Sequence, residues 1–252
     1  MKLCITGGSG KLGTQLRELF PNSLSPPHSE LDVTNGDATR KCILGGSFDT
    51  VIHCAALTSI RYCEEHREET YSVNINGTRN MIEALASSTV KDRYFVYLST
   101  ACVFPGDSPD KYYSEDDVPY PKNFYSVTKL IGEHIVNGFS KSLKLLVIRT
   151  NFFERGAWPY PTAFTDRYAT YVYSDQLAKA IKELVNKRTV GLVHVCGDKR
   201  MSMYDFARLT DPKVKPMTIK DYSGPPLTMN MSLTSKRIPP VPFEQANKRK
   251  SG

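Results

Sequence analysis

The stretch Lys2-Leu3-Cys4-Ile5-Thr6-Gly7-Gly8-Ser9-Gly10-Lys11-Leu12-Gly13-Thr14-Gln15-Leu16 decides how the rest of the chain is read. Residues 2–6 form a short apolar run of the kind that becomes a strand buried on both faces. From Thr14 to Phe20 the apolar residues recur at helical spacing. Between strand and helix lie Gly7, Gly10 and Gly13, a Gly-x-x-Gly-x-x-Gly spacing that Gly8-x-Gly10-x-x-Gly13 overlaps. Glycines here permit a tight turn and let the backbone approach a pyrophosphate, which rests on the helix N-terminus. Glycine-rich turns are common, so it is the strand–loop–helix context that points to a dinucleotide. Gly7, Ser9, Gly10, Lys11, Leu12 and Gly13 are the candidate residues for holding it.

Beyond this unit, strand and helix patterns alternate. Asn22–Ser25 is expected as a second short strand, and Ala38–Leu44 lies in a helix. Thr50–Ala56 and Arg93–Ser99 read as buried strands, and Tyr125–Phe139 as a helix. Leu143–Arg149 is a strand, Ser174–Val185 a helix and Gly191–Cys196 a strand. Such alternation predicts an α/β fold with a Rossmann-type, doubly wound, mostly parallel sheet. Residues 1–150 are expected to form the dinucleotide-binding core, with 174–197 returning to it. Residues 151–173 and 198–238 break the rhythm with aromatic and proline-rich segments and are expected to form a small C-terminal substrate lobe. From 239 to 252 the chain reads as a flexible basic tail.

Composition limits the function classes. Apolar content is 40% and charged content 23%, ordinary for a globular protein. No apolar run approaches the ~20 residues that span a bilayer, so no membrane partner is expected. The six cysteines are scattered without a Cys-x-x-Cys pair, which argues against a zinc site or a disulfide framework and for reduced thiols in the cytoplasm. The formal net charge is +7, part of it from Lys248, Arg249 and Lys250. The remaining excess suits anionic small molecules. No basic helix, zinc-finger spacing or RNA-recognition motif accompanies it, so no nucleic-acid partner is expected.

The choice between the two nicotinamide dinucleotides turns on a carboxylate for the adenosine ribose, expected about 20 residues after the glycines. Asp32 fits that count, but Pro26-Pro27 places it beyond the end of the second strand. Leu24 and Ser25, at the strand end, carry no acid. With Lys11 in the glycine loop, a 2′-phosphate is tolerated, so NADPH is expected, with NADH as the alternative. Ala55-Ala56, ending the next strand, leave room for a flat cofactor. His53, just before them, reads as a packed strand residue.

A candidate reaction site spans Leu98–Lys129. Tyr125 and Lys129 stand about one turn apart on a helix and share a face. Thr100 leaves a strand upstream. An ammonium beside a phenol favours phenolate, and a hydroxyl neighbour can bind the same substrate oxygen. The three together would donate a proton to a carbonyl undergoing reduction. A tyrosine and a lysine so spaced also occur on ordinary amphipathic helices; the glycine loop is what favours chemistry.

Taken jointly, Thr6-Gly7-Gly8-x-Gly10-x-x-Gly13, Leu31-Asp32-Val33, His53-Cys54-Ala55-Ala56, Val73-Asn74-Ile75-Asn76-Gly77-Thr78, Ser99-Thr100, Tyr125-x-x-x-Lys129, Gly132-Glu133 and Arg149-Thr150 resemble an extended short-chain dehydrogenase/reductase over roughly residues 1–200. Within that superfamily the chain is most similar to the dTDP-4-dehydrorhamnose reductases, through Ser99-Thr100-x-x-Val103-Phe104-x-Gly106 and the Tyr112, Glu115, Pro119, Pro121 and Asn123 that precede Tyr125. The resemblance implies that Tyr125 donates the proton, that Lys129 lowers its pKa and binds the nicotinamide ribose, and that Thr100 hydrogen-bonds the sugar oxygen. It implies that Asp32 and Val33 flank the adenine. The substrate would be a nucleoside-diphosphate 4-keto-6-deoxy sugar reduced at C4, and a homodimer is plausible by the same resemblance.

Ala101-Cys102 departs from that family, which has Asp-Tyr after the threonine, and from the sugar-nucleotide dehydratases, which have Asp-Glu. A cysteine two residues after the hydroxyl resembles bifunctional 3,5-epimerase/4-reductases acting on UDP- or GDP-sugars. Those pair the thiol with a His or Lys after the Arg149 strand. Residues 151–173 contain neither, holding Glu154, Arg155, Asp166 and Arg167 instead. Cys102 is therefore a tentative catalytic residue, the alternative being a small buried side chain. A further alternative is a non-catalytic regulatory subunit on the same fold, as in methionine adenosyltransferase.

Overall fold

The protein is described by a computed structural model covering residues 1–243. Its centre is a parallel sheet in which β1 (Leu3–Thr6), β2 (Thr50–His53), β3 (Tyr94–Leu98), β4 (Lys144–Thr150) and β9 (Gly191–Val195) lie side by side in that order. The register sets Ile5 beside Ile52 and Val96 beside Leu146. Side chains alternate across a strand. Ile5, Ile52, Val96 and Ile148 thus meet α1 (Lys11–Leu19) and α7 (Ser174–Asn186) through Leu12, Leu16, Leu177 and Ile181. Cys4, Val51, Phe95 and Val147 meet the other layer, formed by α2 (Gly36–Gly46), α5 (Gly77–Ala86) and α6 (Phe124–Asn137). Burial on both faces explains why these strands read as unbroken apolar runs. The short helices α3 (Ile60–Glu65) and α4 (Arg67–Tyr71) connect the β2 end to α5.

The second strand expected at Asn22–Ser25 shrinks to one bridge, Leu24 against Cys4. Pro26 and Pro27 follow at once and cannot donate to a ladder. His53 lies within the sheet, bonded to Thr6 Oγ1 at 2.7 Å and Thr78 Oγ1 at 3.2 Å. Burial, with Lys129 nearby, pushes its pKa down to about 3, so it is neutral across the ordinary range.

Residues 151–173 and 198–238 pair with each other. β5 (Phe152–Phe153) lies beside β8 (Val172–Tyr173), and β6 (Thr162–Phe164) beside β11 (Lys215–Met217). β7 (Tyr168–Ala169) runs between β10 (Met201–Ser202) and β12 (Asn230–Met231). With α8 (Met203–Arg208), these short strands enclose an aromatic core of Phe104, Tyr113, Trp158, Tyr171, Tyr173 and Phe206.

The basic tail expected from Pro239 is held over its first residues. Val241 pairs with Gly197 and donates its N–H to Cys196 O at 2.8 Å, Gln176 Nε2 donates to Pro242 O, and Phe243 stacks on Tyr173. Val241 packs against the core cluster that includes Ile5 and Leu177, and Phe243 against the aromatic core of the lobe, so two apolar side chains override the polar look of the segment. The charged stretch 244–252 lies outside the described residues. The outer edge of β9 is also occupied. Its His194 N–H donates to Glu115 Oε1 at 2.9 Å, and its Leu192 carbonyl accepts from Arg237 Nη1 at 3.0 Å.

A native state that keeps His53 neutral binds one proton fewer than the unfolded chain between the ordinary histidine pKa and about 3. Stability is therefore expected to fall with decreasing pH below about 6.5, by up to about 1.4 kcal/mol per pH unit from this group. Urea unfolding across pH 4–7 should show a flatter dependence in His53→Gln; an identical slope in both proteins would refute this origin.

Candidate active site

The site gathers where β1, β2 and β3 end and α6 begins, beyond the carboxyl ends of parallel strands, where α/β sheets take their ligands. The start of α6 is fixed by three contacts. Asn123 caps it, its Oδ1 accepting from Ser126 N at 3.0 Å. Asn123 Nδ2 donates to Pro226 O at 2.9 Å, and Phe124 N donates to Glu64 Oε1 at 2.7 Å. Tyr125 falls in the first turn and Lys129 in the next.

Thr100 follows β3 in extended conformation, and its Oγ1 accepts from Cys102 N at 3.1 Å. The same hydroxyl acts on the Tyr125 phenol, so the structure brings Thr100 and Tyr125, distant in sequence, near each other. Lys129 is buried one turn on. Its Nζ lies 4.2 Å from the centroid of the Tyr97 ring, a cation–π contact. Gly132 makes this close docking feasible, because any Cβ there would overlap the Tyr97 hydroxyl.

The electrostatics differ from the simple pairing of ammonium and phenol. Burial, then the Cys102 thiol, raises the Tyr125 pKa, and the nearby Thr100 hydroxyl offsets part of the rise. Lys129 is not among the groups that shift it. The lysine is itself pulled down to about 8 by burial, against the opposing pull of Cys54 and Glu133. Its ammonium rests on the face of Tyr97, a contact that helical spacing alone does not reveal.

Two polar devices hold this arrangement. Glu133, one turn past Lys129, accepts from Arg149 Nε at 2.9 Å and Nη2 at 2.7 Å and also from Ser99 Oγ. Both partners of this bidentate pair are buried, so α6 is pinned to β4 and to the residue before Thr100. The second device is Asn74. It sits in a wide helical turn at Ser72–Asn76, a geometry that often marks functional sites. Its Nδ2 donates to Thr128 Oγ1 and Leu57 O, both at 3.0 Å, while its Oδ1 accepts from Leu57 N at 2.8 Å. It ties the loop after β2 to the helix face between Tyr125 and Lys129.

The glycine loop has the shape a dinucleotide needs. Gly7 adopts φ 69°, and a Cβ there would come within 2.7 Å of Ala55 N. A Cβ on Gly13 would overlap the Gly7 carbonyl. Gly10 caps α1 without a side chain, leaving the first-turn N–H groups of Lys11 and Leu12 for an anion. Ser9 and Lys11 are exposed at the rim, whereas the Leu12 side chain is buried, so Leu12 can contribute through its backbone only. Lys11 Nζ lies 3.7 Å from Glu154 across this opening. Ala55 and Ala56 are half-buried beside Gly7. Asp32 is engaged locally. Its Oδ1 accepts from Thr34 N at 2.9 Å and Thr34 Oγ1 at 2.8 Å, and the Thr34 N–H holds its carboxyl below the usual range. Val33 is buried under Gly77.

Cys102 is buried, its Sγ donating to Met231 Sδ at 3.4 Å. Met231, Asn151, Arg167 and Tyr171 around it were not singled out by the sequence as a group, since nothing local links 102, 151, 167, 171 and 231. Among the described residues no cluster of His, Cys, Asp and Glu could hold a metal, and no helix is long and apolar enough to cross a membrane.

Residues 1–156 match the family model described as the RmlD substrate binding domain. The chain belongs to this family. A dTDP-4-dehydrorhamnose reductase of Aggregatibacter actinomycetemcomitans is 29% identical, with 82% of this chain and 76% of that protein aligned. The crystal structure of dTDP-4-dehydrorhamnose reductase from Bacillus anthracis, in complex with NADP, superposes with a TM-score of 0.81 at 26% identity, over 93% of this chain and 91% of that one. Methionine adenosyltransferase 2 subunit beta of Bos taurus is 23% identical over 94% of this chain and 81% of its own. The RmlD family and the Rossmann-like α/β fold are thus those the motifs implied.

The Glu133–Arg149 pair supports a stability prediction. Arg149→Met should cost about 3–5 kcal/mol, because Glu133 is left buried and unpaired. The double variant Glu133→Gln/Arg149→Met should recover much of that loss in urea unfolding. A single variant no less stable than the wild type would show that the pair does not hold the site.

Proposed function

We propose that the chain is an NADPH-dependent reductase of nucleoside-diphosphate 4-keto-6-deoxy sugars, acting at C4 as in deoxysugar and rhamnose biosynthesis. The observation that carries this reading is the gathering of Thr100 and Tyr125 one helical turn from buried Lys129, beyond the ends of the same parallel strands whose first leads into the glycine loop. NADP in the Bacillus anthracis relative supports the cofactor. When bound, the nicotinamide supplies hydride to the carbonyl carbon. The pyrophosphate would rest on the backbone of Gly7, Gly10, Lys11, Leu12 and Gly13, with Ser9 at the rim and Ala55 and Ala56 beneath the adjoining part. Lys11 suits a 2′-phosphate, and Asp32, already satisfied by Thr34, suits the adenine side better than a ribose hydroxyl.

Thr100 and Tyr125 would both donate to the substrate carbonyl oxygen. Tyr125 gives its proton as that oxygen becomes an alcohol. The Lys129 ammonium, one turn along the same helix, would favour the negative charge that then develops on the phenol. The chain is proposed to work in the cytoplasm, as a homodimer. Its described cysteines are all free, in keeping with a reducing environment.

The similarity to methionine adenosyltransferase 2 subunit beta supports a second reading, a regulatory subunit on the same fold. A copurifying enzyme in fixed ratio, together with no reductase turnover, would favour it. For the epimerase variant, the 4-keto sugar in D2O without reductant should show deuterium at C3 or C5 that is lost in Cys102→Ser; no exchange would leave simple reduction.

NADPH oxidation with dTDP- and UDP-4-keto-6-deoxy sugars is expected for the wild type, with Tyr125→Phe slowed at least a hundredfold. No turnover by the wild type, or full rate in the variant, would reject the assignment. Because Lys129 loses its proton near pH 8, kcat/KM should decline as pH rises through that value. A profile flat from pH 7 to 9.5 would argue against a working charge at Lys129.

A further inference from the structure

The adenosine ribose of a dinucleotide belongs between the glycine loop and the end of the strand that follows the first helix. Residues 22–25 are too short to form that strand, but they keep its place. Leu24 pairs in parallel with Cys4, its N–H donating to Leu3 O at 2.9 Å and its carbonyl accepting from Ile5 N at 2.8 Å. Cys4 also pairs with Val51 of β2, so Leu24 lies on the other side of β1. Ser25 therefore stands where a carboxylate for the ribose hydroxyls would stand. It brings none, and its Oγ donates to Ile5 O at 3.0 Å. Pro26 and Pro27 follow and have no N–H, so an anion here depends on side chains. One cation covers this place. A Cβ on Gly8, in the glycine loop, would overlap Ser25 Oγ and lie 3.1 Å from Arg17 Cδ. Arg17, from the last turn of α1, thus rests with Ser25 against the loop. Its side chain is exposed, and among the described residues no ion pair or hydrogen bond engages its guanidinium. An unpaired surface arginine is commonplace; its place is what distinguishes this one. By charge Lys11 also suits a 2′-phosphate, but by place it does not. Its Nζ lies 3.7 Å from Glu154, whose carboxylate opposes a phosphate. Glu154 follows β4 and β5, whereas Ser25 flanks β1 on the side away from β4.

We infer that Arg17 holds the 2′-phosphate of NADPH beside Ser25 and so sets the preference for NADPH over NADH, a role that Lys11 does not share. This deepens the reading of the chain as an NADPH-dependent reductase and rests on it. The planar fork of a guanidinium offers a phosphate two parallel N–H donors and a full charge. NADH, which ends in a hydroxyl at this position, gains no such pair and finds no carboxylate at Ser25 to receive it. No bond forms or breaks; the discrimination is one of binding alone.

Calorimetric titration of the full chain with NADPH and NADH, and with 2′,5′-ADP and 5′-AMP, tests the assignment. The wild type should bind the phosphate-bearing member of each pair about tenfold or more tightly than the other, with a ratio that shrinks as salt rises. Arg17→Gln should remove most of both ratios by weakening NADPH and 2′,5′-ADP, leaving NADH and 5′-AMP within about twofold of the wild type. Lys11→Gln should keep both ratios, whatever it does to the affinities themselves. Ser25→Asp sets a carboxylate beside Arg17 and should lower the NADPH-to-NADH ratio about tenfold or more. An Arg17 that served only the C-terminal dipole of α1 would change the melting temperature and not the ratios. Unchanged ratios in Arg17→Gln, ratios lost in Lys11→Gln instead, or a wild type that binds NADPH and NADH equally would each overturn the inference. Turnover of a 4-keto sugar with unchanged ratios in Arg17→Gln would leave the reductase reading standing and remove only the role of Arg17. Ratios that depend on Arg17 without turnover on any 4-keto sugar would do the reverse.

Discussion

The buried pair of Glu133 and Arg149 is the contact on which the site depends. It joins one helix to two strands at the point where the reacting groups are carried. Glu133 stands one turn beyond Lys129, Ser99 stands one residue before Thr100, and Arg149 ends the neighbouring strand. A charge pair inside a protein is weak evidence of stability gained, since desolvation opposes it. Its effect here is geometric. Bidentate bonds fix angle as well as distance, and a proton donor has to be set against its hydroxyl partner to within a fraction of an ångström. Phe104, lying 5.0 Å from the Arg149 guanidinium, extends the same anchor into the aromatic core of the lobe.

The parts of this protein that were legible in the sequence are those whose chemistry is local. Gly7 and Gly13 are required by backbone crowding that no other residue tolerates, so their spacing announced the loop and, with the alternation around it, the fold. Tyr125 and Lys129 were legible because helical spacing fixes their common face. What each side chain meets was not. Lys129 turns to Tyr97, a strand residue whose place beneath α6 depends on how the sheet packs and on the absence of a Cβ at Gly132. The short strand expected at 22–25 shrank to the single Leu24–Cys4 bridge because Pro26 and Pro27 end the pairing. Val241 and Phe243 are bound where their polar surroundings suggested a tail, since the surfaces receiving them, the sheet core for Val241 and the rings of Tyr173 and Phe206 for Phe243, are assembled from residues distant in the chain. The gathering of residues 102, 151, 167, 171 and 231 is likewise a product of the tertiary fold, and no periodicity announces it.

The two halves of the site are built on different principles. The glycine loop relies mainly on its backbone, and at Gly7 and Gly13 it has no room for an added atom. The reacting half uses buried titratable groups whose protonation is set by how much water each has lost. Burial raises Tyr125 and lowers Lys129, so both shifts favour the neutral forms. A site of this kind is strongly responsive to a charged or polarised ligand, because little water is present to screen it.

The outer edge of the sheet carries a consequence of a different sort. Along β9 the groups that would otherwise template another strand are taken by Glu115, by Arg237 and, just beyond it, by Val241. Two of the three are side chains, which end a ladder rather than continue it. An exposed strand edge is an invitation to pair with foreign chains. Here the invitation is withdrawn by residues drawn from distant parts of the same chain, so that self-association through this edge requires first unlatching the lobe's own connections. The same groups that close the lobe onto the core thus also protect the folded protein against sheet-to-sheet aggregation.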